Sequence, residues 1–496
     1  MQKESVLTTN SPLMMRPHRR QFVIGPEIFR VYEDWHCRQF NASTWISYCP
    51  ELLASWTIDA NGTTWVILGV AVETLESRSE PQAEIAQTAS ADVPNLYASW
   101  AGRWVLIGNG KVHMDASGLL GCFYGTTRDG QVWVSSSPAL LADILSPKAD
   151  SRQLYYQQGL SWFTPPLSRF VDISRLLPSQ VIELKDGSIQ PRPLLPPINP
   201  DLNYEEALEL LSQSMITALR RLYQKQSKLW LGLSAGVDSR LVLAMAYRGG
   251  VNIAPFTRIA GRMSVADRIL PATLAKKLGY QHIFLHGRNS LANRQHLVTE
   301  HSAGHVSQGD ALPFLQSVRD SLEGISVGGW CLEVGKAMWR NSLPDTIDDT
   351  EICAQQIARN YGEPLNSSAI AGIRQWLEWV KQTPQAHMDW RDRFYIEQRL
   401  AGWQSSKEQL YDLSNIQRIP IVNAARTYAL MLSIAENRRL NAKYQLDLIS
   451  QAVPQISCYP CNPSDEYFGK LRAMIIKSSY DPLYIPRIVA RKLRSR

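Results

Sequence analysis

Leu229-Trp-Leu-Gly-Leu-Ser-Ala-Gly-Val-Asp-Ser-Arg240 decides how the chain is read. Residues 229–233 are an uncharged apolar run, as a strand buried on both faces requires. Ser234, Ala235 and Gly236 are small enough to let another backbone or a ligand come close. Asp238 and Ser239 then open a helix through Leu241, Val242, Leu243 and Ala244, which Gly249-Gly250 ends. At such a strand-to-helix turn, backbone N–H groups and the helix dipole favour an anion. Ser234 and Ser239 add hydroxyls that can donate to phosphate oxygens. Asp238 would repel a phosphate, so its simplest role is to hold a divalent cation that bridges to one.

Residues 234–239 lack the Gly-Lys-Ser/Thr ending of a Walker loop. They resemble the pyrophosphate loop Ser-Gly-Gly-x-Asp-Ser of ATP pyrophosphatases, with Ala235 in place of the first Gly. The resemblance implies ATP and Mg²⁺ held at Leu233, Ser234, Ala235, Gly236, Asp238 and Ser239. The plainer alternative is a tight turn beneath a doubly wound sheet, with no ligand.

A chain of 496 residues should hold about two or three domains. With 45% hydrophobic and 20% charged residues it has an ordinary globular composition. It has no apolar run of roughly 18 residues, so no membrane span is expected, and residues 1–20 lack the apolar core of a secretory signal. Seven cysteines over this length do not suggest a disulfide framework, and a reducing cytoplasm fits. Arg16, His18, Arg19 and Arg20 read as a solvated N-terminal arm. Five of the last ten residues are basic, read as a solvated tail at 481–496. The net charge of +7 is mild, and no interleaving of basic and aromatic residues suggests a nucleic-acid surface.

Residues 21–190 read as β-rich. Strands are expected at Trp65-Val-Ile-Leu-Gly-Val-Ala-Val72, Trp104-Val-Leu-Ile and Gln131-Val-Trp-Val, with hairpin turns at Asn109-Gly110 and Asp129-Gly130. The order hairpin, Asp115-Ala-Ser-Gly118, Phe123-Tyr124, Ser-rich helix entry at 134–141 and Leu176-Leu-Pro-Ser-Gln180 resembles the glutaminase domain of asparagine synthetases. That chemistry needs a cysteine at the mature N-terminus. This chain begins Met1-Gln2-Lys3, and Cys37 lacks the small residues that follow the family's nucleophile. A scaffold without glutaminase activity is therefore expected, with free ammonia or a substrate amine as nitrogen donor.

Five prolines in residues 191–200 mark 191–202 as a stiff linker. Asn203 caps the next helix, with Leu208, Leu211, Met215, Leu219 and Leu222 on one face. After the loop, residues 252–257 are a second strand, although Pro255 argues against an inner position. A helix over 267–278 and a strand over 282–285 complete parallel crossovers. ATP should lie over the carboxyl ends of these strands, with adenine near Leu233 and the Thr257-Arg258 turn.

Ile325-Ser-Val-Gly328-Gly329 is a further strand and turn. In asparagine synthetases the matching turn carries the second Mg²⁺ aspartate, which here falls on Leu332. The neighbouring Glu333 is the candidate replacement, Gly328 belongs to the nucleotide turn, and Lys336 is placed to meet a phosphate. The remainder, 340 onward, reads as helical. Arg418-Ile-Pro-Ile-Val-Asn-Ala-Ala-Arg426 and Lys443-Tyr444 resemble segments of the synthetase domain. The family's catalytic lysine falls near Cys461-Asn462 and is absent, so Lys443 or Lys470 is the substitute candidate. Glu408 falls near the glutamate base of β-lactam synthetase, and a solvated helix glutamate is its plainer reading. Cys458-Tyr-Pro-Cys461 has no companion ligands for zinc and reads as structural.

The resemblance implies an α/β protein. A glutaminase-like β-rich (αββα) domain at 21–190 would precede a doubly wound parallel-sheet ATP-pyrophosphatase domain with added helices at 203–480. It also implies an AMP-forming amide ligase joining a small-molecule or peptide carboxylate to ammonia or an amine, as in β-lactam synthetase and lasso-peptide cyclases. A homodimer is possible on this scaffold. Glutamine-hydrolysing asparagine synthesis, a degenerate nucleotide-binding scaffold and a tRNA-modifying pyrophosphatase remain alternatives.

Overall fold

The computed structural model describes residues 16–148, 160–259, 263–286, 295–304, 322–362, 368–464 and 466. Alternation along the strands builds the first half. β1 (Phe22–Gly25), β2 (His36–Asn41), β3 (Thr44–Tyr48), β4 (Ala54–Ile58), β5 (Thr64–Glu73), β6 (Trp100–Gly108) and β7 (Lys111–Met114) are followed by five shorter strands. These are β8 (Phe123–Thr126), β9 (Val132–Ser135), β10 (Ser174–Arg175), β11 (Gln180–Glu183) and β12 (Ile189–Pro191). They form two six-stranded sheets, ordered β10-β8-β9-β1-β3-β2 and β12-β11-β7-β6-β5-β4. All their pairings are antiparallel.

Phe22, Ile24 and Ile46 from the first sheet meet Val66, Leu68, Val105 and Ile107 from the second in one core. The opposite faces of β5 and β6 present Trp65, Trp100 and Trp104 to a second apolar layer. These strands therefore lack a polar face, which is why they read as continuous apolar runs. Asn109 (φ 48°) and Gly110 (φ 73°) form the two-residue turn between β6 and β7, the conformation that Asn-Gly tolerates best.

The second half is a five-stranded parallel sheet. Its strands are β13 (Leu229–Gly232), β14 (Ile253–Ile259), β15 (Ile283–His286), β16 (Gly324–Gly328) and β17 (Ile416–Pro420), in the order β15-β14-β13-β16-β17. Helix α3 (Tyr204–Lys225) follows the shorter α1 (Pro81–Ala86) and α2 (Pro138–Leu145); the Asn203 side chain accepts from the N–H groups of Glu205 and Glu206. The five apolar residues of the α3 stripe are all buried, at about 1.5–3 kcal/mol each. Helices α4 (Val237–Arg248) and α5 (Val265–Lys277) follow β13 and β14. The strand order reverses between β13 and β16, the place where open α/β sheets carry their crevice, outside the carboxyl ends of the strands.

Three expectations are corrected. Pro255 lies in β14, an inner strand, opposite Leu231. Phe256 O accepts from Leu233 N–H, so alternate residues, Pro255 among them, turn their nitrogens toward β15, whose pairing starts only at Phe256. The missing N–H is thus not needed. The helical remainder contains β17, which extends the sheet by pairing with Gly324–Gly328 and buries Ile416 and Ile419. The basic cluster at 18–20 is not solvated. Arg20 donates to the carbonyls of Asp412 (3.0 Å) and Ser414 (2.9 Å), Arg19 to that of Leu413 (3.1 Å), and His18 N–H to His301 Nδ1 (2.8 Å). Carbonyls left open just past a helix end are strong acceptors for cations.

The Pro-rich segment leaves the edge strand β12 and is irregular, as expected, but Leu194, Leu195 and Ile198 are buried against the α3 core. The two halves meet through buried polar contacts. Arg103 holds Asp412 by two bonds (3.0 and 2.9 Å), and Asn423 Nδ2 donates to Asp115 (2.7 Å). Among the described residues no helix is long and apolar enough to cross a membrane.

Candidate functional site

The turn after β13 is held by its own side chains. Ser234 N–H donates to Ser239 Oγ (3.1 Å), and Gly236 N–H to Ser234 Oγ (3.1 Å). Ala235 N–H donates to Asp267 Oδ1 (2.7 Å), while Asp267 is itself fixed by Ser264, the cap of α5. Asp267 is thus a brace for the turn. Gly236 stands at the N-cap of α4 and has no side chain to cap it, so the dipole end of a helix of 12 residues faces the crevice. From the far side, Asn462 N–H donates to Ala235 O (3.1 Å), and the buried Arg240 guanidinium bonds the carbonyls of Ala235 (3.3 Å) and Pro460 (2.9 Å). The CxxC segment therefore serves as a strap across the turn, in keeping with its structural reading.

Asp238 and Glu333 come together as expected. Gly329, after β16, packs so closely on Asp238 that a Cβ there would lie 2.6 Å from Asp238 C. Glu333 is half-buried, and its carboxyl is pushed above the ordinary range first by desolvation and then by the neighbouring Asp238 charge; Lys336 acts in the opposite direction. Asp238 Oδ2 accepts from Lys336 Nζ at 2.6 Å, whereas Oδ1 is buried with no partner. Two carboxylates against one ammonium, with one oxygen unsatisfied, suit a divalent cation. Among the described residues no group of three His, Cys, Asp or Glu side chains could hold a metal by itself. The pair fits Mg²⁺, which keeps waters and phosphate oxygens as its other ligands.

Thr257 Oγ1 donates to Leu233 O (2.7 Å) and is buried, so it closes the mouth of β13 from inside; Arg258, the next residue, is half-buried. Gly328 ends β16, where the Trp330 ring leaves no room for a Cβ. The catalytic candidates fare differently. Glu408 is fully buried and not a solvated helix acid: it pairs with Arg418 (3.3 Å) and Gln404, and burial raises its carboxyl. Its ion pair is with β17, not with the loop. Lys443 is exposed at the start of the helix Lys443–Ala452. Lys470 and the 481–496 tail lie outside the described residues.

Sequence reading missed a cavity of 210 Å³ beside Glu333, walled by Trp330, Trp339, Tyr395, Arg399 and Trp403. The Arg399 guanidinium lies 3.7 Å over the Trp403 ring. The spacing of Tyr395, Arg399 and Trp403, four residues apart on one helix face, was the available signal. That helix is wound as a π-helix over Tyr395–Gln404, a form frequent at functional sites. A larger cavity of 1120 Å³ lies elsewhere, against the outer face of the second sheet, and no loop residue lines it. No family model matches the chain, and no curated protein matches it.

Proposed function

We propose that the protein is an ATP-dependent, AMP-forming amide ligase built on an asparagine synthetase-like plan, acting on a specialised acid. The observation that carries this is the unpartnered Asp238 Oδ1 beside Glu333, at the reversal point of a parallel sheet and over the N-terminus of α4. Two antiparallel six-stranded sheets ahead of that unit support the glutaminase-like part of the plan. Cys37 as a liberated nucleophile fits poorly, because cutting before it would strip β1, which lies between β3 and β9. This weighs against glutamine-dependent asparagine synthesis.

In this reading an oxygen of the acid attacks the α-phosphorus of ATP and the bond to the pyrophosphate oxygen breaks. The amine nitrogen then attacks the acyl carbon of the adenylate, AMP leaves, and the nitrogen gives up a proton. The N-terminus of α4 and the hydroxyls of Ser234 and Ser239 cradle the departing pyrophosphate. Mg²⁺ held by Asp238 and Glu333 would supply charge neutralisation for it. Lys336, held on Asp238 Oδ2, would stand beside a cation at Oδ1 and could reach a phosphate. Leu233, with Thr257 and Arg258, which lie within β14 and not in the expected turn, borders the adenine. The aromatic cavity beside Glu333 takes the acid's body, which favours a flat, apolar one.

One observation favours a second reading, a nucleotide-binding scaffold: the Lys336 ammonium already sits on Asp238. Release of AMP and pyrophosphate, measured with Mg²⁺, ammonia or amines and a panel of aromatic acids and peptides, separates the two. Acid-dependent AMP should fall about 10²–10³-fold in Asp238→Ala. ATP binding without AMP from any acid would favour the scaffold. No ATP binding would overturn the loop assignment itself.

A further inference from the structure

The 1120 Å³ cavity on the outer face of the second sheet belongs to no step above, and its size is at the top of the range for small-molecule sites. One wall is aromatic: Tyr97, Trp104 and His113 pack with ring centroids 5.5–5.7 Å apart around Tyr97. The opposite wall is the Pro-rich segment, stiff and therefore preformed. Lys111, Arg192 and Arg393 also line the cavity, and no Asp or Glu does.

Lys111 and Arg393 are answered by Glu183 (3.1 Å) and Glu397 (2.7 Å). Arg192 has no such partner. Its Nε and Nη2 donate to the carbonyls of Pro178 (2.6 Å) and Met114 (2.8 Å), and its Nη1 is buried without an acceptor. Two further buried polar atoms on the same wall also lack partners, Trp104 Nε1 and His113 Nε2. Trp104 can only donate. His113 is buried, which pushes it down to about 3 and keeps it neutral. The Tyr97 hydroxyl shares a hydrogen bond with its Nδ1 (3.2 Å), and the tautomer decides whether Nε2 is a donor or an acceptor. Two donors, Trp104 Nε1 and an Arg192 nitrogen that faces no carboxylate, and the His113 Nε2 thus lack partners beside a flat apolar wall.

We propose that this cavity binds a small carboxylic acid with a flat, apolar body, at a site separate from the loop. The carboxylate takes Arg192 Nη1 and Trp104 Nε1, and the body lies between the aromatic wall and the prolines. The site lies beyond the ligase reading and does not depend on it.

Calorimetric titration of the full chain with 2-naphthoate, and with 2-naphthylmethylamine as the oppositely charged control, tests this. Naphthoate should bind at this cavity, any second component that Asp238→Ala abolishes belonging to the loop, and the amine should not bind. Trp104→Phe removes one donor and keeps the wall, so the dissociation constant should rise about tenfold; Arg192→Met should raise it by more. Asp238→Ala should leave it unchanged. Absence of naphthoate binding, equal binding of the amine, or binding indifferent to Trp104→Phe would overturn the proposal, and the last holds even if Arg192→Met fails to fold. Loss of binding in Asp238→Ala would also overturn it, by placing the acid at the loop.

Discussion

Buried carboxylates are treated in opposite ways at two places in this molecule. Where the β-sandwich meets the parallel-sheet half, three are filled, and Glu408, held by Arg418 and Gln404 through Oε1, keeps Oε2 unpartnered. Asp412 takes both arms of Arg103. Asp115 accepts from the N–H groups of Trp104, Ser117 and Leu119 and from Asn423. Glu397 takes Arg393, Trp376 and Ser179. At the crevice between β13 and β16, Asp238 keeps one oxygen empty, and Glu333 sits beside it in a position that burial makes costly to ionise. Filled lone pairs fix one arrangement of the two halves. Unfilled ones leave local strain that a ligand can relieve. On the proposed function, the contrast sets the Arg103–Asp412 contact, placed for stability, against the Asp238–Glu333 pair, placed for binding.

The largest expected effect breaks the interface side. Asp412→Ala leaves the Arg103 guanidinium, 1% exposed, without the carboxylate that takes both its arms. Urea denaturation should show a loss of about 3–5 kcal/mol. Asp238→Ala leaves Lys336 at the crevice, where water reaches it, and its stability should change by no more than about 1 kcal/mol. Equal losses in the two variants would erase the distinction between the regions.

A smaller effect probes the crevice through its backbone. Gly329→Ala puts a methyl 2.6–2.7 Å from the carbonyl carbon, Cβ and carbonyl oxygen of Asp238. One of the two turns must move, at about 1–3 kcal/mol. The Asp238–Glu333 pair should spread, so thermal stabilisation by Mg²⁺-ATP should shrink more than the basal melting temperature does. An unchanged response to Mg²⁺-ATP would mean that the approach of the two turns has no part in ligand binding.

Much of this contrast can be read from the chain where it is local. The strand, turn and helix around Ser234, the Asn203 cap and the Asn109-Gly110 hairpin are each set by residues within a few positions. Counting from the loop to the turn after β16 also brought Asp238 and Glu333 together, since both turns leave the same edge of one sheet. What stayed hidden depends on distant partners. Arg418-Ile-Pro420 is a strand only because β16 is beside it. Arg19 is buried by a carbonyl 394 residues away. Glu408 reads as a surface acid until Arg418 is placed on it. The cavity beside Glu333 draws on side chains from three separate segments.

The histidine beneath the docked segment 18–20 tests the interface at the smallest scale. His301 is fully buried; its Nδ1 accepts from His18 N–H (2.8 Å), and its Nε2 lies 2.7 Å from Gln409 O, so only the neutral Nε2–H form satisfies both. Burial pushes it down to about 3, and His18 likewise to about 4. A depressed histidine contributes stability that is whole above 6.5, the unfolded value, and drains as pH falls toward the folded one, because the unfolded chain takes up the proton first. Each such group should cost about 1.4 kcal/mol for a full pH unit below 6.5. Between pH 6.5 and 5.5, before carboxylates enter, the stability of the wild type should therefore fall more steeply than that of His301→Gln. A filled contact of this kind tolerates no extra proton, so parallel slopes would mean that His301 is not held neutral and that the interface is looser than its hydrogen bonds imply.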